Sequence, residues 1–260
     1  MFNIGGDSTL IFNSGLLGSI IAGMATALGA IPIFFTKKVN EEFMDIILGF
    51  AAGVMLSATS FSLLIPAIGM CDGNMKSMFI VAAGVLAGGI FLDVIDKNIP
   101  HFHAIGGFEG RESRLSKIML FILAITIHNF PEGLAVGVTF GSGSIKDGIA
   151  IAVGIGLQNI PEGFAVAFPL ISEGVSKRKA FTITLITGLV ESIGGVTGLL
   201  IARIGKSVLP FSLAFAAGAM LFVISDEIIP ETHKKSSYRK ATYGVLIGFV
   251  VMMLFDTLLS

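Results

Sequence analysis

His128-Asn129-Phe130-Pro131-Glu132-Gly133 and Gln158-Asn159-Ile160-Pro161-Glu162-Gly163 are two related segments, and each lies in the middle of a long apolar run. A carboxylate inside a bilayer is costly and is therefore a functional hypothesis by default. Residues four apart share one face of a helix, so His128 is expected beside Glu132, and Gln158 beside Glu162. Imidazole nitrogen and carboxylate oxygen together are ligands of borderline divalent transition metals. The two segments therefore predict a paired metal site near the membrane midplane.

The composition is that of a polytopic membrane protein. Of the 260 residues, 53% are apolar and 13% are charged, whereas a soluble domain carries about 25% charged residues. The single cysteine, Cys71, excludes a disulfide framework within one chain. Neither a basic patch nor an aromatic ladder suggests binding to nucleic acid.

Eight apolar runs are long enough to cross a bilayer, which takes about 20 helical residues. They cover roughly 11–35, 44–66, 77–97, 117–140, 147–172, 180–202, 208–230 and 240–259. The first run is too long, and lacks the basic flank, for a cleaved signal peptide. We therefore expect one all-α transmembrane domain over residues 1–260, with residues 98–116 as the longest connection.

The basic residues predict the orientation. Of the 17 Lys and Arg residues, 13 fall in the loops between spans one and two, three and four, five and six, and seven and eight. The positive-inside rule places these loops in the cytoplasm. The sequence therefore predicts a multi-pass protein of the cell (inner) membrane, with a cytoplasmic loop at 98–116 and both termini outside.

The chain also resembles itself. Residues 50–56 of span two match residues 215–221 of span seven, and residues 84–88 with Asp96 match residues 244–248 with Asp256. Spans one to three thus correspond to spans six to eight, and span four corresponds to span five. Matching spans cross the membrane in opposite directions, which predicts an inverted repeat in a 3+2+3 arrangement. Secondary transporters are commonly built this way, with the substrate bound at the midplane.

These residues resemble the ZIP (Zrt/Irt-like) family of divalent metal transporters, and the likeness covers all eight spans. The specific parts are the two opening segments and Glu191 in span six. The Gln158-Asn159 variant of the second segment is similar to the bacterial GufA-like branch. The resemblance implies an elevator-type carrier, in which spans one, four, five and six move the metal past spans two, three, seven and eight.

The resemblance also implies two metal positions that share two glutamates. The first would use Met55, His128, Glu132, Gln158 and Glu162. The second would use Asn129, Glu132, Asn159, Glu162 and Glu191. Some family members have Asp where this chain has Asn159, and that departure removes one negative charge from the second position.

Further polar residues stand nearer the ends of the predicted spans. Given the resemblance, release-pathway ligands are expected at Asp45, Asp96, His101, His103, Asp226 and Glu227. Some relatives have His at the position of Asp226. Ser62 and Asp256 are expected to mark the outer entrance. Taken alone, solvated helix ends would explain most of these carboxylates.

Three functions remain open from the residues. The leading prediction is a carrier, not an enzyme, that moves zinc, or iron, manganese or cadmium, as substrate into the cytoplasm. No catalytic cofactor is expected, and a homodimer is one assembly left open. An intramembrane metal hydrolase is the rival, but such sites usually have two or three His ligands and a spare base. A third alternative is channel-like conduction through the same site.

Overall fold

The structure is a computed structural model, and it describes residues 4–35, 41–71, 75–98, 101–103, 107–109, 117–233 and 238–259. The helices are α1 (Ile4–Ala30), α2 (Glu41–Ala58), α3 (Ile65–Gly69), α4 (Met75–Asn98), α5 (Lys117–Gly141), α6 (Ile145–Ser172), α7 (Lys177–Ala202), α8 (Leu209–Val223), α9 (Ile229–His233) and α10 (Tyr238–Leu259). A short antiparallel ribbon pairs β1 (His101–His103) with β2 (Gly107–Glu109). The predicted all-α membrane class is confirmed, with this ribbon as a small addition.

Seven helical segments within the described residues are long and apolar enough to cross a membrane. They are Ser8–Phe34, Glu42–Gly69, Met75–Asn98, Ile145–Ser172, Lys177–Ala202, Leu209–Ile228 and Tyr238–Leu258. Each matches one of the apolar runs found in the sequence. The remaining run corresponds to α5, a helix of 25 residues that carries the first of the two polar segments.

Two of these segments contain a turn of π-helix. Residues Thr59–Leu64 connect α2 to α3, and residues Ile224–Ile228 connect α8 to α9. A proline follows each turn, at Pro66 and Pro230. Proline has no N–H and its ring crowds the carbonyl four residues earlier, so a wider turn relieves the strain. By contrast, α5 and α6 continue as helices through Pro131 and Pro161.

The helices are described in two groups, according to their place around the polar segments. The site group consists of α5, α6 and α7, which carry the two polar segments and Glu191, and of α1, which packs on α6 and α7. The flanking group consists of α2, α3, α4, α8, α9 and α10. Within the site group, α7 packs on α5 and α1, and α1 packs on α6. Within the flanking group, α2 packs on α10 and α4 packs on α8. The two groups meet where α2 and α10 contact α6, and where α8 contacts α5.

Glycines bring the backbones together within the site group. A Cβ at Gly133 would overlap the carbonyl oxygen of Glu191, and a Cβ at Gly163 would overlap the carbonyl oxygen of Thr26. At Gly23 and Gly188 the approach is mutual, since a Cβ on either would overlap the carbonyl oxygen of the other. Small residues of this kind let membrane helices pack closely without a hydrophobic driving force.

In the flanking group, glycines also bring helix backbones together, at two positions that match in the sequence repeat. A Cβ at Gly88 of α4 would overlap the carbonyl oxygen of Phe215, and a Cβ at Gly248 of α10 would overlap that of Phe50. Gly88 and Gly248 are matched in the sequence repeat, and so are Phe215 and Phe50. The two helix pairs therefore pack through equivalent residues.

The glycines of α1 and α7 do not form a smooth face toward the flanking group. Gly15 and Gly18 face Phe140 of α5, and Gly198 faces the backbone of Leu134 in the same helix. These glycines therefore make contacts that hold the site group together.

Candidate metal site

A continuous chain of hydrogen bonds links all four helices of the site group. Gln158 Nε2 donates to Glu132 Oε1 and, over 3.2 Å, to Asn159 Oδ1. Asn159 Nδ2 donates to Glu191 Oε1 over 2.6 Å and to the carbonyl oxygen of Ala22 over 2.8 Å. Each amide nitrogen thus uses both of its protons, so the carboxylates of α5 and α7 are joined through the two amides of α6.

Several oxygens around this chain have no hydrogen-bond donor among the residues that the structure describes. All belong to residues singled out in the sequence, namely Asn129 Oδ1, Glu132 Oε2, Gln158 Oε1, Glu162 Oε1 and Glu191 Oε2. Asn129, Asn159 and Glu191 are fully buried, and Glu132 and Gln158 are each 1% exposed. A buried acceptor without a donor costs about 1–3 kcal/mol, and more when it is charged. Buried acceptor oxygens of this kind are the ligand atoms that a hard or borderline divalent cation prefers.

His128 has its ion-pair partner outside this chain of hydrogen bonds. Its Nε2 forms an ion pair with Glu227 Oε2, which lies in the π turn after α8. The two side chains are 13% and 3% exposed, so the pair is largely shielded from solvent. His128 and Glu132 therefore leave the same helix toward different partners, and one imidazole nitrogen is already engaged.

Within the described residues, no group of three or more His, Cys, Asp or Glu side chains converges as a metal cluster would. The hydrogen bonds explain this arrangement. Glu132 and Glu191 accept protons from amides, and His128 pairs with a residue of the flanking group. A metal ion would have to compete with these partners, because a nitrogen or oxygen engaged in a hydrogen bond lacks a free lone pair in that direction.

The remaining site residues predicted from the sequence lie at varied depths. Met55 is 1% exposed and belongs to the main apolar core. Ser62 Oγ donates to Asp256 Oδ1 over 2.5 Å, which links the first π turn to α10. Asp45, Asp96 and Glu227 are buried, whereas Asp226 is exposed. The backbones of His101 and His103 lie in β1, but their side chains are outside the described part of the structure.

Two contributors from α1 were not anticipated from the sequence. The carbonyl oxygen of Ala22 accepts a hydrogen bond from Asn159, and the hydroxyl of Thr26 is fully buried without a partner in the described chain. One signal in the sequence could have revealed Thr26. Its separation from Glu191 equals the separation of Gly23 from Gly188, so Thr26 is the repeat partner of Glu191.

A family model described as ZIP zinc transporter matches residues 106–256, which is more than half of the chain. The chain belongs to the ZIP zinc transporter family. The resemblance inferred from the two polar segments is thereby confirmed. Both segments and Glu191 fall inside the matched region.

Curated relatives of this ZIP protein cover almost its whole length. The zinc transporter GufA of Myxococcus xanthus is 43% identical over 248 residues, covering 94% of this chain and 98% of the relative. The zinc transporter ZIPB of Bordetella bronchiseptica is 37% identical, covering 98% and 84%. The zinc transporter ZupT of Lysinibacillus sphaericus is 36% identical, covering 95% and 97%. These likenesses support the predicted bacterial GufA-like branch, and membership of a transporter family confirms that the chain is not an enzyme.

Proposed function

We propose that this ZIP protein carries zinc across the membrane into the cytoplasm, with iron, manganese and cadmium as alternative substrates. The observation that carries the proposal is the set of buried side-chain oxygens without donors on Asn129, Glu132, Gln158, Glu162 and Glu191. Amide and carboxylate oxygens of this kind would be satisfied by a divalent cation, whose charge would also offset the glutamates. The names of the curated relatives point to the same substrate.

Two adjacent metal positions are proposed at this site. The first uses Met55, His128, Glu132, Gln158 and Glu162. The second uses Asn129, Glu132, Asn159, Glu162 and Glu191. The hydrogen bonds from Gln158 to Glu132 and from Asn159 to Glu191 each join ligands assigned to the same position, and the bond from Gln158 to Asn159 connects the two positions.

Eight spans in a 3+2+3 inverted repeat are proposed as the architecture, with α5 as the fourth span. Equivalent glycine contacts support it. The contact of Gly133 with the carbonyl oxygen of Glu191 corresponds by the repeat to the contact of Gly163 with the carbonyl oxygen of Thr26. The mutual contact of Gly23 and Gly188 suits a position on the pseudo-twofold axis. The two π turns support it further, because each interrupts an equivalent span just before a proline.

An elevator-type alternating-access movement is proposed, with the site group sliding past the flanking group. Backbone-to-backbone approaches at glycines occur within each group, where they resist separation. Across the boundary, Gly154 of α6 instead meets the flexible side chain of Met252 in α10. Methionine adapts its shape easily, so such a contact can be remade after a shift.

The routes to and from the site are proposed from the remaining polar residues. Ser62 and Asp256 would mark the entrance, and Asp45, Asp96, His101, His103, Asp226 and Glu227 would guide release. The repeat relates the two routes, because Ser62 corresponds to Glu227 and Asp256 to Asp96. One pair at the outer side and one at the inner side would then be equivalent gates.

The proposed orientation in the cell (inner) membrane has both termini outside and residues 98–116 in the cytoplasm, on the strength of the basic loops. A homodimer remains compatible with this architecture but is not required for the site. All the proposed ligands come from one chain.

Metal flux into sealed vesicles tests the proposal. His128→Ala and Glu162→Ala should each abolish saturable zinc uptake while leaving folded protein in the membrane. Glu173→Gln is the control, because Glu173 is exposed at the cytoplasmic end of the same helix as Glu162. Wild-type uptake in Glu162→Ala would refute the site, and uptake that never saturates would indicate a channel.

A further inference from the structure

We propose that the hydroxyl of Thr26 is a cation ligand at the second metal position, where it adds a sixth residue to an all-oxygen site for a hard divalent cation. The inference rests on the proposed transport site and adds a ligand from α1. It also separates the two positions by chemistry, since the first contains an imidazole and a thioether.

Thr26 differs from the other threonines of the membrane helices. A threonine in a helix usually donates its hydroxyl proton to a carbonyl oxygen three or four residues earlier. Thr139 donates to Ala135 and Thr184 donates to Ala180, over 2.8 and 3.0 Å. Thr26 Oγ1 has no partner among the described residues, although the side chain is fully buried.

The surroundings of Thr26 explain why its hydroxyl is left without a partner. The carbonyl oxygen of Ala22, four residues earlier, already accepts the amide of Asn159. The hydroxyl instead faces Gly188, where an added Cβ would lie 2.8 Å from Oγ1. The side chain of Thr26 thus lies between α1 and α7, one turn from Glu191, and its backbone carbonyl lies against Gly163, which follows Glu162.

The repeat relates Thr26 to a residue already assigned to the site. Glu191 Cβ lies 3.5 Å from the Cβ position of Gly23, and Thr26 Cβ lies 2.9 Å from that of Gly188. On one side of the repeat, Asn159 donates to Glu191 over 2.6 Å. On the other side, the corresponding residues are Asn129 and Thr26, and the side-chain polar atoms of both lack partners among the described residues.

A cation would satisfy the incomplete side of this arrangement. Threonine is shorter than glutamate, and Thr26 makes no hydrogen bond to Asn129 like the one that Glu191 makes with Asn159. A metal ion held by Glu132 and Glu162 can accept one lone pair each from Thr26 Oγ1 and Asn129 Oδ1. Threonine hydroxyls coordinate hard divalent cations in this way in phosphate-binding sites.

The resulting ligand set contains oxygen atoms alone. Its members are Thr26, Asn129, Glu132, Asn159, Glu162 and Glu191. Hard cations such as Mn²⁺ and Mg²⁺ prefer carboxylate, carbonyl and hydroxyl oxygens, whereas imidazole and thioether favour softer ions. Mn²⁺ should therefore enter the second position in preference to the first.

Thr26→Val tests the ligand, because valine has the same shape without the hydroxyl. Mn²⁺ binding to the purified protein, loaded first with one equivalent of Zn²⁺ and followed by electron paramagnetic resonance, should weaken by about tenfold, the loss expected for one polar contact. The first Zn²⁺ step should stay unchanged. Thr26→Ser should restore Mn²⁺ affinity, and Thr184→Val is the matched control, since Thr184 is equally buried but bonded to its own helix.

The melting temperature of the metal-free protein distinguishes a metal ligand from a residue that only stabilises the fold. Replacing an unpartnered buried hydroxyl with a methyl group should leave the melting temperature of Thr26→Val unchanged or higher. Thr184→Val loses a made hydrogen bond and should melt lower. A lower melting temperature of Thr26→Val with unchanged Mn²⁺ binding would overturn the proposal.

A second variant keeps the test decisive if Thr26→Val does not fold. Thr26→Cys places a soft thiolate donor at the same point, so Cd²⁺ should produce the ultraviolet charge-transfer absorption of a cadmium–thiolate bond. The wild type, whose Cys71 is buried and bonded to Ala67, supplies the baseline. Absence of the band in folded Thr26→Cys would overturn the proposal.

The outcomes separate this inference from the transport function. Wild-type vesicles without saturable zinc uptake would refute the proposed function. Normal uptake in the wild type, together with unchanged Mn²⁺ binding in Thr26→Val, would refute only the role of Thr26. A single bound ion per wild-type protein would refute the second metal position as well.

Discussion

His128 Nε2 is paired with Glu227 Oε2 across the boundary between the site group and the flanking group. This pair joins the central imidazole to the π turn that follows α8. The same nitrogen cannot donate a proton to Glu227 and donate its lone pair to a metal ion. Metal binding through this nitrogen and the contact across the boundary are therefore mutually exclusive.

A double-mutant cycle on this pair should show strong coupling without metal. His128→Gln or Glu227→Gln alone leaves one partner buried, and removing one member of a buried pair costs about 3–5 kcal/mol. The double variant should lose less stability than the sum of the two single variants. The measurement is the melting temperature of purified, metal-free protein, and additive losses would contradict the pairing.

The same cycle should change when zinc is present. If His128 binds the ion, Glu227 no longer depends on it, so the coupling between the two positions should fall. Coupling that persists at saturating zinc would mean that His128 keeps its contact with Glu227 and does not ligate the metal through Nε2.

Asn159→Asp should weaken the metal-free protein and tighten the second metal ion. Aspartate cannot donate to Glu191 or Ala22, so two hydrogen bonds are lost and two carboxylates face each other. A cation at the second position would reverse this penalty and gain a charged ligand. Calorimetric titration should show the weaker of two steps tightening by about tenfold, the effect of about 1.4 kcal/mol.

Asn98→Asp is the control for Asn159→Asp. The amide of Asn98 donates to the carbonyl oxygen of Val94 at an exposed helix end, so the change removes a similar bond away from the site. It should leave both binding steps as they are. Two equal steps in the wild type, or no tightening in Asn159→Asp, would show that ligand charge does not set the affinity of the second position.

Gly133→Ala should prevent stable packing of α5 on α7. Its Cβ would overlap the carbonyl oxygen of Glu191, which belongs to the backbone and cannot move without the helix. Overpacking of a tight core costs about 1–3 kcal/mol, and a backbone clash falls at or above the upper end. Gly163→Ala, its repeat partner, should be equally harmful.

Gly69→Ala is the matched control for this packing prediction. A Cβ at Gly69 would meet nothing within 4 Å, and the residue is also helical. Its melting temperature and yield should equal those of the wild type. Normal folding of Gly133→Ala would contradict the close approach.

Cysteine labelling tests the predicted orientation at the two ends of α7. A cysteine at Arg178 should resist an impermeant reagent in intact cells, and a cysteine at Lys206, just beyond the other end of the helix, should react. Both positions are exposed, so differences in burial do not confuse the result. A Cys71→Ser background removes the native thiol, and outside labelling at Arg178 would reverse the topology.

The sequence predicted the parts of the fold that depend on apolar length and on repetition. Runs of apolar residues located most of the helices to within a few residues, although α1 begins seven residues before its predicted run. A bilayer demands about 20 apolar residues per span, which makes such runs easy to recognise. The spacing of His128 with Glu132 and of Gln158 with Glu162 located polar residues within helices. The family resemblance then supplied ligands, such as Met55, that spacing alone could not select.

Side-chain partners could not be predicted in the same way. Glu227 was expected near a helix end, but the π turn alters the direction of the residues after α8, and Glu227 pairs with His128. Thr26 was not recognised as a site residue, because a buried threonine normally bonds to its own helix. Thr26 departs from this rule because Asn159 donates to the carbonyl oxygen of Ala22, and that hydrogen bond joins two segments that are distant in the sequence.

The packing of α2 on α10 bears on how the chain is made. The carbonyl oxygen of Val245 in α10 lies directly against Gly53 of α2, so each helix buries part of its surface only when the other is present. Translation delivers α2 early and α10 last of the helices described, so α2 must wait in the bilayer while the intervening helices emerge. Contacts between distant parts of a chain slow folding. A ribosome that stalls before α10 would therefore leave an inserted but incomplete protein, exposed to membrane proteases at the helix that lacks its partner.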